Sequence, residues 1–222
     1  MKKVLIVVTS CDITPEGKPT GIWLEEFTVP YQLFIQSGFK VDVASIKGGV
    51  APIDPRSNPD EQQSKEWSQA IDSLQTTTDL AEINPENHDA IFFPGGHGTM
   101  FDLPNNPHIS TILRSFHEAN KIIAAVCHGP ACFIGVTLKN GKVLIAGRTV
   151  TGFTNDEEIA AEQDKNMPFL LEDELLKNKA SYIKANEWAD HIEIDENIIT
   201  GQNPQSSESV AKAIIQKLEA QT

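Results

Sequence analysis

The 222-residue sequence is short of cations: 18 lysines and arginines face 31 aspartates and glutamates, leaving a formal charge of −13. No Lys/Arg run relieves that excess, which argues against a nucleic-acid binder, because phosphate recognition draws on clustered cations. No apolar run approaches the ~18 residues of a membrane-spanning helix. Residues 4–8, behind Met1-Lys2-Lys3, fall short of the about 7–15 residues of a secretory-signal core and are interrupted by Thr9-Ser10-Cys11-Asp12. They read instead as a buried first strand, and the protein as cytoplasmic. The three cysteines, Cys11, Cys127 and Cys132, form no Cys-x-x-Cys, so neither a paired-cysteine zinc site nor a disulfide framework is suggested. Repeats and low-complexity linkers are also missing, and residues 1–222 read as one domain.

What is present is an alternation of short β-branched runs with helical patterns, the signature of a parallel sheet covered by helices. Strands are expected at 4–8, 41–44, 90–93 and 122–126, the last two as continuous apolar runs buried on both faces. Trp23, Phe27, Tyr31 and Phe34 recur at helical spacing until Gly38; a second helix spans 108–119, and a last one carries Val210, Ala213, Ile214 and Leu218 on one face. Residues 64–74 read as helix, 143–145 and 149–151 as strands, 155–185 as a helix-rich elaboration, and 191–194 with 198–199 as strands across a turn. The fold class is α/β, a flavodoxin-like parallel sheet sandwiched by helices.

In such a sheet, ligands sit beyond the carboxyl ends of the strands. Residues 122–126 run directly into Cys127-His128-Gly129-Pro130, where a helix is expected to start at once. Ala125 and Gly129, two positions either side of Cys127, are the small neighbours that a nucleophile elbow requires. A thiol at the positive end of that helix favours the thiolate. The competing reading of Cys127, and the one given to Cys132, is a small buried residue. Cys11, in the loop after the first strand, is a further residue able to line the same pocket.

Pro94-Gly95-Gly96-His97-Gly98 follows another strand, and a Gly96 N–H with that of His128 would make a two-donor oxyanion hole. His97 reads as an ordinary loop histidine. In the first helix, Pro30 cannot bond the Glu26 carbonyl, which marks Glu26 rather than Glu25 as irregular. A carboxyl beside a thiolate should hold the proton that the pair shares; two solvated acids is the alternative. Thr154 with Glu157 fits a capping box, leaving Glu158 free. The His128 ring, adjacent in sequence to the nucleophile, should point away from it, so its backbone counts for more than its side chain.

Five segments in order, GIWLEEFTVP at 21–30, PGGHG at 94–98, AAVCHGPA at 124–131, GFTNDEE at 152–158 and TGQNP at 200–204, resemble the ThiJ/PfpI family of the class I glutamine amidotransferase-like superfamily. Within it the sequence is similar to the heat-shock chaperone-like glyoxalase III and deglycase branch, with extra helices after residue 153. The resemblance implies Cys127 as nucleophile, Glu26 as its acid/base partner, Gly96 and His128 at the oxyanion, Glu158 as third member of a triad, and a homodimer. It implies conversion of methylglyoxal and related 2-oxoaldehydes to 2-hydroxy acids, or deglycation by the same attack on a carbonyl. An amidase or peptidase and a holdase chaperone with an exposed apolar patch are the competing functions. His191-Ile192-Glu193, the one His-x-Glu, opens a strand rather than following one, which speaks against ammonia transfer. No convincing dinucleotide fingerprint or metal-ligand cluster points to a cofactor or a metal, and the expected partner is a small aldehyde.

Overall fold

A computed structural model describes residues 1–221. Nine strands are found there: β1 (Lys3–Val8), β2 (Lys40–Ser45), β3 (Thr78–Asp79), β4 (Ala90–Phe93), β5 (Ile122–Val126), β6 (Thr149–Val150), β7 (Ser181–Tyr182), β8 (Ile192–Asp195) and β9 (Ile198–Gly201). The α-helices are α1 (Leu24–Gln36), α2 (Glu61–Glu66), α3 (Ser68–Ser73), α4 (Thr99–Asp102), α5 (Pro107–Glu118), α6 (Asn155–Ala160), α7 (Leu171–Lys177) and α8 (Ser207–Glu219). No helix among the described residues is long and apolar enough to cross a membrane.

The main sheet has the order β3-β2-β1-β4-β5-β9-β8, parallel except for the antiparallel β8–β9 pair. Its central strands β2-β1-β4-β5-β9 reproduce the flavodoxin-like order, and the strand order reverses at β1 and β4, where such folds open their ligand crevice. Strands β4 and β5 are buried at every position, because right-handed crossovers through α1 and α5 cover opposite faces of the sheet. Helices α1 and α8 pack on each other, and α8 also lies on β5 and β9.

Several local expectations change. Residues 143–145 form no strand of the sheet: Val143 makes an isolated bridge with Thr137, and the following turn runs to Gly147, whose φ is +77°. Leu144 and Ile145 are nevertheless buried. An apolar run reports burial, and here the burial is that of a turn. The helix expected over 64–74 breaks at Trp67 into α2 and α3, and much of 155–185 is turn rather than helix. Most relevant to function, the segment after Cys127 is a five-residue 3₁₀ turn, Gly129–Phe133, and not an α-helix. It offers little of the macrodipole anticipated for the thiol.

Candidate active site

The Cys127 backbone sits at φ +59°, a left-handed conformation that costs a non-glycine residue of order 1–3 kcal/mol and persists only where neighbours fix it. Here the fixing is done on both sides: the Cys127 N–H donates to Gly201 O at 2.9 Å, and the Phe153 N–H donates to Cys127 O at 2.8 Å. The elbow's small neighbours have visible reasons. A Cβ on Gly129 would run into the Phe93 carbonyl and sit 3.4 Å from Ala125 Cβ, so no larger residue fits the turn.

The loop after β4 closes over the same point. Gly96 has φ +101°, and a side chain there would collide with the backbone of Gly21 and Trp23 at the entry to α1. That close approach lets the Trp23 N–H donate to Gly95 O at 3.1 Å and the Gly95 N–H donate to Glu26 Oε2 at 2.7 Å. The N–H groups of Gly96 and His128 donate to no acceptor among the described residues.

Glu26 is wholly buried, and its Oε1 has no partner within ordinary hydrogen-bond geometry. Burial, only partly offset by its interaction with the Cys127 thiol and its bond from Gly95, pushes its carboxyl up to about 8. Burial also pushes the Cys127 thiol well above its ordinary value, with the Glu26 carboxyl as the next cause. At neutral pH the pair therefore rests as a carboxylic acid beside a thiol, and the expectation of a spontaneously ionised sulfur is overturned. Without a long helix behind the elbow, the attraction of the Arg56 guanidinium is outweighed by the desolvation of a thiolate.

The ring expected to turn away from the sulfur faces it. The His128 ring folds back so that Nδ1 lies 3.3 Å from Cys127 Sγ, while its Nε2 lies 2.7 Å from Glu158 Oε2. The other Glu158 oxygen lies 2.7 Å from His97 Nε2, and His97 Nδ1 lies 2.8 Å from Arg56 Nη2. This chain fixes the tautomers. A guanidinium can only donate, so His97 Nδ1 accepts and its Nε2–H donates to Glu158. Burial and the neighbouring His128 push His97 down to about 4, so it is neutral. Burial opposes ionisation of Glu158, but the His128 and His97 rings outweigh it and hold the carboxyl well below its ordinary range. As an acceptor on both oxygens, Glu158 takes the Nε2–H of His128, which turns Nδ1 toward the thiol.

Cys127, Glu26, Gly96 and His128 line one cavity of about 220 Å³, walled by Trp23, Arg56, His97, Phe153 and Trp188. Glu158 stands behind the two histidine rings. The cavity lies below the ~300–1,000 Å³ typical of drug-sized ligands, so it suits a small substrate. Cys11 is not part of it: half-exposed, its thiol donates to Ile13 O at 3.4 Å. His191 and Glu193 pair with each other at 3.1 Å on the edge of the sheet and do not line the cavity. Arg56 and His97 are the residues that sequence reasoning missed. Arg56 is one of three arginines in an acidic chain and stands in a Gly/Pro-rich loop, but the contact joining it to His97 spans 41 positions.

His97, His128 and Glu158 bring three potential metal-ligating atoms within 4.8 Å of one another. Both carboxylate oxygens are already taken by ring nitrogens, and the guanidinium behind His97 works against a further cation, so the cluster fits a proton relay better than a metal centre.

The buried acid carries a stability consequence. In the unfolded chain Glu26 loses its proton near 4.5, and in the fold near 8. Between those values the folded state retains a proton that the unfolded chain has released, so stability falls as pH rises. Glu26→Gln removes that slope. Thermal melts should find the variant equal to the wild type near pH 4.5 and more stable by up to about 3 kcal/mol at pH 7. A difference independent of pH would show that Glu26 is ionised in the fold.

A family model described as the DJ-1/PfpI family matches residues 20–217. A Candida albicans protein named Glyoxalase 3 is 32% identical, covering 99% of both chains, and a Saccharomyces cerevisiae protein named as a glutathione-independent glyoxalase is 32% identical over 98% of both. Among solved structures, the glyoxalase III of Candida albicans superposes with a TM-score of 0.86 at 28% identity, covering 97% of this chain and 96% of that one. The Rapid Encystment Protein of Francisella tularensis reaches a TM-score of 0.93 at 41% identity, covering 98% and 99%.

Proposed function

Because this chain belongs to the DJ-1/PfpI family, whose relatives at about 30% identity are named glutathione-independent glyoxalases, we propose that it converts methylglyoxal to lactate by covalent catalysis on Cys127. One observation carries the reading: a buried carboxylic acid, Glu26, interacts with the one cysteine thiol in a small cavity.

The steps follow from the groups present. His128 Nδ1 takes the thiol proton as sulfur attacks the aldehyde carbon, and Glu158 steadies the imidazolium. The N–H groups of Gly96 and His128 hold the resulting oxyanion. Glu26 gives that oxygen its proton, and the carboxylate so formed takes the hydrogen from the former aldehyde carbon and delivers it to the neighbouring carbon through an enediol. The product is a thioester on Cys127, which water hydrolyses. Atoms balance as methylglyoxal plus water giving lactate, and the electrons lost by one carbon are gained by the next. A carboxyl poised near 8 is suited to both giving and taking a proton at neutral pH.

The same thiol, imidazole and carboxylate could serve an amidase, but a cavity of about 220 Å³ closed by Trp23, Phe153 and Trp188 favours a small carbonyl compound over an extended peptide. The reading includes a cytoplasmic homodimer, although one chain supplies every group named in the steps. The test is incubation of the purified protein with methylglyoxal and no glutathione. Lactate should accumulate in step with methylglyoxal loss; consumption without lactate, or dependence on added glutathione, would overturn the proposal.

A further inference from the structure

Beside the reaction cavity lies a second one, of about 130 Å³, bordered by Thr14, Lys18, Thr20, Arg56, His97 and Asn166. Arg56 and His97 line both, so the two cavities adjoin at these side chains. On a chain with 31 acids, no carboxylate lines this second cavity, and two of its side chains are cations.

The guanidinium is held ready for a ligand. Asp54, fully buried, accepts from Arg56 Nε at 2.9 Å and from Nη2 at 2.7 Å, and Nη2 also reaches His97. The two N–H groups on Nη1 donate to no acceptor among the described residues. Lys18 Nζ donates to Asn166 Oδ1 at 2.7 Å, which ties the loop after β1 to the loop after α6, and it pairs with no carboxylate among the described residues. Asp54 and His97 thus hold Nε and Nη2, while the Nη1 amino group and the Lys18 ammonium remain for an anion. Pinned, charged donors of this kind favour a carboxylate.

Resting on the glyoxalase reading, we propose that this second cavity is an anion subsite selecting 2-oxoaldehydes that carry a carboxylate tail. Methylglyoxal leaves it empty. A substrate such as 4,5-dioxovalerate would place its aldehyde on Cys127 and its carboxylate, two methylenes beyond the ketone, at Arg56 and Lys18. The same internal proton transfer with addition of one water then gives 2-hydroxyglutarate.

The experiment compares initial rates of the purified protein on methylglyoxal, 4,5-dioxovalerate and the methyl ester of the latter. The acid should show a KM about tenfold below that of its ester, and Lys18→Met should shrink the acid-to-ester ratio of kcat/KM about fivefold. Equal KM values for acid and ester, or a ratio untouched by Lys18→Met, would overturn the subsite while lactate still forms from methylglyoxal. No lactate from methylglyoxal would instead overturn the glyoxalase reading. In that event binding still decides the subsite: levulinate, which keeps the ketone and the carboxylate but lacks the aldehyde, should quench tryptophan fluorescence at lower concentration than methyl levulinate. Arg56 lies 6.0 Å from the Trp23 ring, close enough to report occupancy. Equal affinities would overturn the subsite.

Discussion

Cys127→Ser should lower kcat/KM on methylglyoxal by at least about 10³-fold while leaving the melting temperature nearly unchanged. Serine is close in size, and the left-handed backbone at this position is held by bonds to Gly201 and Phe153 that do not involve the side chain. The loss would therefore be chemical: a hydroxyl beside the His128 ring is a far weaker nucleophile than a thiol in the same place. Glu158→Gln tests the relay from the other end. An amide can no longer accept from both histidines, so His128 loses the acceptor that orients its Nδ1 toward the sulfur, and activity should fall by about 10³-fold with sulfur still present. Both variants should leave any holdase activity intact, since that depends on exposed apolar surface. Full turnover by Cys127→Ser would end the covalent mechanism, and full turnover by Glu158→Gln would reduce the histidine chain to scaffolding.

The second large effect concerns a residue that touches no substrate. Glu157 is fully buried and accepts five hydrogen bonds. Its Oε2 takes the Thr154 N–H at 3.0 Å and the Thr154 hydroxyl at 2.9 Å; its Oε1 takes the Trp188 N–H at 2.8 Å, Gln202 Nε2 at 3.1 Å and Asn203 Nδ2 at 2.8 Å. One carboxylate thereby fastens the start of α6, which carries Glu158, to the Trp188 wall of the cavity and to the segment after β9. Glu157→Ala strands those donors in the interior and should cost about 3–5 kcal/mol in urea unfolding, with activity lost in parallel. Asp156→Ala is the neighbouring control. Its carboxylate pairs with Lys184 at an exposed position, and its loss should change stability by less than about 0.5 kcal/mol. A cost at Glu157 no larger than at Asp156 would mean the five bonds are replaced by water.

Much of this molecule could be read along the chain. The buried strands 4–8, 90–93 and 122–126, the small-x-Cys-x-small elbow and the Thr154–Glu157 capping box each depend on residues within a few positions of one another, and each is found in the structure. For such local features, sterics and burial leave one outcome. Misreadings arose where a short apolar stretch such as 143–145 carried no periodic signal, since a turn and a strand bury such residues equally well.

The arrangement of the site was decided elsewhere. Glu26 meets Gly95 across 69 positions, His97 meets Glu158 across 61, and His128 meets Glu158 across 30. These contacts turn the His128 ring toward the thiol, against the expectation from adjacency, and bury Glu26 deeply enough to keep its proton. The sequence alone determined which groups are available, because residue type and local spacing are properties of the chain. Their protonation and orientation were left to the tertiary structure, because desolvation and hydrogen bonding depend on what distant segments bring alongside.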